Sequence, residues 1–259
     1  MEGYHVCRIS VAPLRKEPTD RSEIVSQLLF GDRVIVLEKE EKWCFVKTHH
    51  DHYEGWMDHK QLQQLTALQY NDEQSYRYVT AVNFDNRLVN DNGEVYYLSP
   101  GSTLPFYEDG YCFLGDIRFE VKTTPFVPNA AEFTAKVEET AKFFLNSPYL
   151  WGGRTFFGID CSGFVQAVYK LNGIQLKRDA SQQVEEGQLV DFLANAKLGD
   201  LAFFDNEEGK ITHVGMMLSS DQIIHSAGKV RIDPVDNQGI YNAELGKYTH
   251  KLRVIKRFV

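Results

Sequence analysis

The stretch YLWGGRTFFGIDCSGFVQAVYK, residues 149–170, decides the fold and carries most of the chemistry. A glycine-rich loop leads to Asp160, a residue type that favours the N-cap of a helix. The apolar residues beyond it recur at helical spacing: Phe164, Val165, Val168 and Leu171. We therefore predict a helix from about Cys161 to Leu171, with the Cys161 thiol in its first turn.

A thiol at this position is a candidate nucleophile. Backbone N–H groups point outward in the first turn of a helix, and the helix dipole places partial positive charge there. Both effects stabilise a thiolate, which is the form of cysteine that attacks carbonyl groups. The same N–H groups suit a developing oxyanion. The alternative is a small buried thiol that only packs at the start of a core helix.

The order of predicted elements indicates an α+β protein. Short alternating strands and polar turns fill residues 1–65 and 76–123, and each stretch suits a small β-barrel. A proline-containing linker is predicted at 123–129, and an amphipathic helix follows it. After the Cys161 helix come further strand-like runs, which is the order expected of an α+β catalytic domain.

Composition excludes several classes of protein. The net charge of −8 argues against a general nucleic-acid binder, and no apolar run approaches the length of a membrane span. The chain start lacks a signal-peptide pattern, so we expect a cytoplasmic protein, or a secreted one whose leader has been removed. The cysteines show no zinc-type spacing, and we expect Cys7, Cys44 and Cys112 to be inert buried thiols.

Two of the eight histidines differ from the others. His213 and His225 lie in consecutive strand-like runs, so antiparallel pairing would bring them onto one face of a sheet. One imidazole would then act as the base for Cys161 and the other would orient it. The alternatives are a pair of satisfied core histidines or a metal site, which lacks a convincing third ligand. We expect surface positions for the remaining six: His5, His49, His50, His52, His59 and His250.

Four sequence blocks, in order, carry a resemblance to a known family: PYLWGGRTFFGIDCSGFVQ, RDASQQ, THVGMML and IIHSAG. They resemble the NlpC/P60 cysteine peptidases, a papain-like family that cuts bacterial peptidoglycan peptides. The preceding residues resemble bacterial SH3 (SH3b) domains. The resemblance implies an SH3b domain at 1–66, a second SH3b-like domain at 67–124 and a papain-like NlpC/P60 domain at 125–259. This arrangement is similar to the γ-D-glutamyl-L-diamino acid endopeptidases.

The resemblance also implies roles for individual residues. Cys161 would be the nucleophile, His213 the base, His225 the orienting member and Tyr149 a residue lining the oxyanion region. The substrate-binding residues would be Asp160, Ser162, Ser181, Glu23 and Tyr53. Asp160 and Glu23 would hold a free amine, whereas Ser162 and Ser181 would hold the D-glutamate portion. No metal and no cofactor are expected.

The implied activity is hydrolysis of the γ-D-Glu–diamino acid bond of peptidoglycan stem peptides. The acidic residues would favour peptides with a free N-terminal L-Ala, as in cell-wall recycling. We expect a monomer whose partner is a peptidoglycan-derived peptide, with no nucleic acid and no membrane. Two alternatives stay open: an amidase or transferase of the same fold, and a wall-binding SH3b protein with an inactive peptidase domain.

Overall fold

The computed structural model describes residues 3–259, which form two compact units. The first unit contains the chain up to Pro128 together with Trp151–Thr155. The second unit contains Asn129–Leu150 and Phe156–Val259. Within residues 3–259, no helix combines the length and the apolar character needed to cross a bilayer.

A seven-stranded antiparallel sheet opens the first unit, in the order β3-β2-β6-β5-β4-β1-β7. Its strands are β1 (Gly3–Cys7), β2 (Val11–Arg15), β3 (Ile24–Leu29), β4 (Arg33–Lys39), β5 (Trp43–Thr48), β6 (Glu54–Asp58) and β7 (Leu62–Gln64). The alternating strands and polar turn of RVIVLEKEEKWCFVKT, residues 33–48, form a hairpin, since β4 pairs with β5. The inner face of this sheet forms a small hydrophobic core that includes Leu14, Val34 and Met57.

A second, four-stranded sheet follows the short helix α1 (Ala67–Asn71), in the order β10-β11-β8-β9. Its strands are β8 (Arg87–Asn90), β9 (Val95–Tyr97), β10 (Tyr111–Leu114) and β11 (Ile117–Val121). The two sheets share a core, in which the Phe30 ring packs edge-on against Phe119 with 5.5 Å between centroids. The proposed domain limits at 66 and 124 stay predictions. The short strand β12 (Arg154–Thr155) also belongs to this unit.

The second unit combines three helices with a large antiparallel sheet. The helices are α2 (Phe133–Phe143), α3 (Cys161–Leu171) and α4 (Ala180–Gln183). The strands are β13 (Gly158–Ile159), β14 (Gln188–Val190), β15 (Leu201–Asp205), β16 (Ile211–Met217), β17 (Gln222–Ala227), β18 (Lys229–Asp236), β19 (Gly239–Asn242) and β20 (Lys247–Arg257). The predicted α+β class is confirmed.

The sheet of the second unit closes on itself. Strands β15 to β20 pair in sequence, β20 pairs back with both β15 and β19, and β14 extends β20 on the outside. Helix α3 contacts β16 and β17 through its buried face, which includes Phe164, Val165 and Val168. This packing fixes the N-terminus of α3 beside the two strands that carry His213 and His225.

Candidate active site

Cys161 occupies the first position of α3, as the sequence predicts. Asp160 caps this helix, since its Oδ1 accepts a hydrogen bond from the N–H of Gly163 at 2.7 Å. Cys161 is only 7% exposed, and the backbone N–H groups of Val214 and Ser162 donate to its sulfur. Because Val214 lies on β16, the strand that carries His213 is directly against the thiol.

His213 and His225 meet on one face of the β16–β17 pair. Gly215 is directly opposite His225, so His213 is the diagonal neighbour of His225. The Nε2 atom of His213 lies 2.9 Å from the Nδ1 atom of His225, and both side chains are buried. Gly215 permits this approach, because a Cβ atom there would lie 2.8 Å from the Cβ of His225.

Burial decides the protonation of the thiol and its neighbouring imidazole. Burial raises the pKa of Cys161 to about 11, the charge of Asp160 adds to the rise, and backbone N–H donors only partly oppose it. Burial, together with His250 and His225, lowers the pKa of His213 well below its usual range. Burial therefore opposes the thiolate that a position at a helix N-terminus predicts, and it favours a thiol beside a neutral imidazole in the resting protein.

A third strand extends this row of polar groups. On β18, Asp233 Oδ2 lies 3.0 Å from Nε2 of His225 and 2.7 Å from Nε of Arg231. Burial opposes ionisation of Asp233, but hydrogen bonds from His225 and Arg231 hold its pKa below the usual value. Neither Arg231 nor Asp233 is among the residues predicted from the sequence. They are two positions apart within KVRIDPVD, and this spacing indicates that they share one face of a strand.

His250 is not at the surface position predicted for it. It is half-buried on β20, and its ring stacks on that of His213 with centroids 4.1 Å apart. Burial, reinforced by His225, lowers the pKa of His250 to about 4, so this ring is neutral at pH 7. Closure of the sheet brings β20 to the site, and no local sequence pattern predicts that contact.

The three imidazoles are also the cluster among residues 3–259 that has the geometry of a metal site. Ring nitrogens of His213, His225 and His250 lie within 4.8 Å of one another. Nε2 of His213 and Nδ1 of His225 share a hydrogen bond, so an ion bound through those two nitrogens would displace it. The absence of a metal from the working protein stays a prediction.

The predicted substrate-binding residues next to the thiol lie in a buried polar network. Arg178 is not among the residues predicted from the sequence. Its Nη2 lies 2.6 Å from Asp160 Oδ2, and its Nη1 lies 3.1 Å from Asp160 Oδ1. Its Nη1 also donates to the Ser162 hydroxyl at 2.9 Å. Asp160 therefore has three tasks: capping α3, pairing with Arg178 and raising the pKa of Cys161. Arg178 is the first residue of the RDASQQ block, and its place in that block is the one feature of the sequence that could have indicated a role at the site.

Tyr149 lies on the thiol side of the same unit. Burial, with contributions from the charges of Cys161 and Asp160, raises the pKa of Tyr149 to about 12, so its hydroxyl stays protonated and can donate. The Tyr149 backbone N–H donates to Gly228 O at 2.9 Å, which ties this residue to the turn after β17. Ser181 is exposed on α4.

Glu23 and Tyr53 belong to the first unit. A Glu23 carboxylate oxygen accepts a hydrogen bond from the indole Nε1 of Trp151 at 2.7 Å. Tyr53 packs against the core of the first sheet, and its backbone N–H donates to the Thr48 hydroxyl at 2.8 Å. Their part in binding substrate stays a prediction.

The other three cysteines are buried and free, as predicted. Burial raises the pKa of the Cys7 and Cys112 thiols to about 12, and it also raises the pKa of Cys44. Each therefore stays in the unreactive thiol form at neutral pH.

Similarity to known proteins agrees with this geometry. The sequence profile of the NlpC/P60 family matches residues 146–248, and that of the bacterial dipeptidyl-peptidase Sh3 domain matches residues 14–62. An NlpC/P60 family protein from Bacillus cereus ATCC 10987 has a similar structure, with a TM-score of 0.79 at 24% identity over 98% of this chain and 99% of that one.

Two curated relatives extend the similarity over most of the chain. A gamma-D-glutamyl-L-lysine dipeptidyl-peptidase of Bacillus subtilis (strain 168) is 35% identical in an alignment of 219 positions that covers 78% of this chain and 72% of that protein. A protein of the same name from Bacillus cereus is 28% identical in an alignment of 255 positions that covers 85% of this chain and 73% of the relative. Since the matched region includes the cysteine at the head of α3 and the paired histidines of β16 and β17, the chain belongs to the NlpC/P60 family.

Proposed function

We propose that this protein is a cysteine peptidase that hydrolyses the bond between the γ-carboxyl of D-glutamate and a diamino acid in peptidoglycan stem peptides. The observation that carries this proposal is the buried Cys161 thiol, whose sulfur accepts the N–H of Val214, the residue that follows His213 on β16, together with the hydrogen-bonded His213–His225 pair. Two relatives named gamma-D-glutamyl-L-lysine dipeptidyl-peptidase support the choice of bond.

The proposed reaction begins with proton transfer within the site. Nε2 of His213 bonds to His225, so Nδ1 is the nitrogen left to take the proton of Cys161. The sulfur then attacks the γ-carbonyl carbon, and the carbonyl π electrons move to the oxygen. Backbone N–H groups at the head of α3 and the Tyr149 hydroxyl stabilise that oxyanion. Because the resting pair is neutral, charge separation occurs only as the C–S bond forms.

The second half of the reaction returns the enzyme to its starting state. The C–N bond breaks, and protonated His213 gives its proton to the leaving α-amino group of the diamino acid. The acyl group remains on sulfur as a thioester. Water, deprotonated by His213, attacks this thioester, and the sulfur leaves and is reprotonated. The peptide ending in D-glutamate is released.

The finer specificity rests on Asp160. We propose that peptides with a free N-terminal L-Ala are preferred, because the Asp160 carboxylate favours a nearby ammonium group. Asp160 also pairs with Arg178, but a carboxylate can accept more than two hydrogen bonds, so the ammonium would add a donor without displacing the guanidinium. A hydrogen bond to a charged group contributes about 2 kcal/mol. N-acetylation of the alanine should therefore lower kcat/KM by roughly 30-fold.

The direct test uses L-Ala-γ-D-Glu-L-Lys, its diaminopimelate counterpart and the N-acetylated forms, with products identified by mass spectrometry. We expect wild-type protein to release L-Ala-D-Glu, and Cys161→Ala to lower kcat on the order of 10⁴-fold or more. Cys44→Ala removes another buried thiol and is expected to leave kcat unchanged. A Cys161→Ala protein that hydrolyses these peptides at the wild-type rate would refute the proposal.

A further inference from the structure

The geometry points to Asp233 as a fourth member of the site, a positioning residue that sets the tautomers of both histidines. We infer that its carboxylate, held by Arg231, fixes His225 so that the free lone pair of His213 faces Cys161. This inference rests on the proposed cysteine-peptidase function. It concerns β18, a strand outside the sequence blocks that carry the family resemblance.

An unbroken row of short contacts crosses three neighbouring strands. Asp233 Oδ2 on β18 lies 3.0 Å from His225 Nε2 on β17, and His225 Nδ1 lies 2.9 Å from His213 Nε2 on β16. Asp233 and His225 are 3% and 1% exposed, so bulk water does not replace either partner. Each contact is therefore a hydrogen bond that must have one donor and one acceptor.

An ionised carboxylate accepts hydrogen bonds and cannot donate them. A neutral imidazole at position 225 must therefore carry its proton on Nε2, which leaves Nδ1 without a proton. Nδ1 can then only accept, so His213 must donate from Nε2. A neutral imidazole carries one N–H, and this assignment leaves Nδ1 of His213 as a lone pair. Each tautomer follows from the one before it, and the first is set by Asp233.

Arg231 holds Asp233, the first residue of this row, in place. Its Nε lies 2.7 Å from Asp233 Oδ2, and its Nη2 lies 2.8 Å from Asp233 Oδ1. Asp233 Oδ1 thus accepts a hydrogen bond from the guanidinium, whose charge also lies close to Oδ2, and this keeps the carboxyl ionised despite its burial. Nη1 of Arg231 also lies 3.0 Å from Oε2 of the exposed Glu244, so the guanidinium pairs with a surface carboxylate as well as with Asp233.

The variant Asp233→Asn tests this inference, because an amide presents one acceptor and one donor in place of the two acceptor oxygens of the carboxylate. Its oxygen cannot satisfy both Arg231 and His225 as the carboxylate does. When the amide N–H₂ faces His225, the favoured tautomer reverses at both histidines and a proton occupies Nδ1 of His213. We expect Asp233→Asn to lower kcat by about 10² to 10⁴-fold, as loss of the correct tautomer does in other triads, with KM within about threefold.

Nitrogen-15 NMR of the histidine side chains gives a readout that a purely structural role would not move. In the full-length wild-type protein we expect His213 and His225 both to be protonated at Nε2. In Asp233→Asn, a substantial Nδ1–H population of His225 is expected. The matched control is Asp236→Asn, an exposed position on the same strand whose carboxylate contacts Tyr248 and not the histidines. It should keep wild-type kcat and tautomers.

The outcomes separate this inference from the proposed function. Wild-type protein that shows Nδ1–H at His225 overturns the inference without any variant. An Asp233→Asn protein that keeps kcat within twofold of the wild-type value and shows unchanged tautomers also overturns the inference. A wild-type protein inert towards all the peptides refutes the proposed function instead, while its NMR spectrum still tests the role of Asp233.

Discussion

At the scale of single residues, the raised pKa of Cys161 predicts how this thiol reacts with alkylating agents. With a pKa of about 11, only about one molecule in 10⁴ carries the thiolate at pH 7. A thiol reacts through its ionised form, and that form becomes more abundant as pH rises towards the pKa. The rate of iodoacetamide labelling should therefore increase about tenfold per pH unit from pH 7 to 10.

Mass spectrometry of the labelled peptide measures this rate for Cys161 alone. Cys161→Ala provides the background from the three other thiols, which are buried in the first unit. A labelling rate that is already at its plateau near pH 7 would contradict the prediction. It would show that a stable thiolate–imidazolium pair exists before substrate binds.

Cys161, His213 and His225 could be predicted from the sequence because short motifs surround them. The protonation of Cys161 and His213 could not, since their pKa values depend on burial that only the folded sheet provides. Arg178, Asp233 and His250 could not be predicted because each contacts a partner from a different part of the chain.

At the scale of elements, local signals predicted helices better than strand contacts. Helix α3 begins and ends where predicted, because Asp160 supplies an N-cap and the apolar residues keep one period. The antiparallel pairing of β16 with β17 also followed from the sequence. The pairing of β19 with β20 did not, because a sheet that closes on itself depends on contacts along the whole unit.

Gly215→Ala tests whether the spacing of β16 and β17 at the site is as tight as described. A Cβ at position 215 would lie 2.7 Å from Ile223 Cδ1 and 2.8 Å from His225 Cβ, so the strands or side chains must shift. We expect a loss of about 1–3 kcal/mol in the free energy of unfolding, as is typical of overpacking. Displacement of His225 should also lower kcat/KM by at least about tenfold.

Urea denaturation and steady-state kinetics measure the two effects of Gly215→Ala. Thr212→Ala is the matched control, because it changes an exposed side chain of the same strand and should shift stability by less than about 0.5 kcal/mol. Equal stability and activity of Gly215→Ala and wild type would show that the strand pair has room for a side chain at this position.

At the scale of the whole molecule, the sequence predicted the α+β class and a β-rich N-terminal region because both follow from patterns that repeat along the chain. It did not predict that Trp151–Thr155, part of the stretch 149–170, belongs to the same compact unit as the N-terminal strands. Arg154 contributes to that membership through contacts with residues more than a hundred positions away in sequence.

Arg154 forms the buried ion pair that distinguishes this segment. Its Nη1 lies 3.2 Å from Asp32 Oδ2, and both side chains are only 3% exposed. The same Nη1 donates to the carbonyl of Gln27 at 2.7 Å, and Nη2 lies 3.1 Å from His50 Nε2. Removing one partner of a buried pair leaves the other charge desolvated, which costs about 3–5 kcal/mol.

Arg154→Met is therefore expected to lower the free energy of unfolding of the first unit by about 3–5 kcal/mol. Asp32→Asn in the Arg154→Met background should recover part of this loss, because it removes the buried charge left without its guanidinium. Arg118→Met is the matched control, since the Arg118–Asp91 pair is exposed and such pairs contribute at most about 1 kcal/mol. Calorimetry of the four proteins measures these differences. An Arg154→Met protein as stable as Arg118→Met would mean that apolar packing, and not this ion pair, holds Trp151–Thr155 in the first unit.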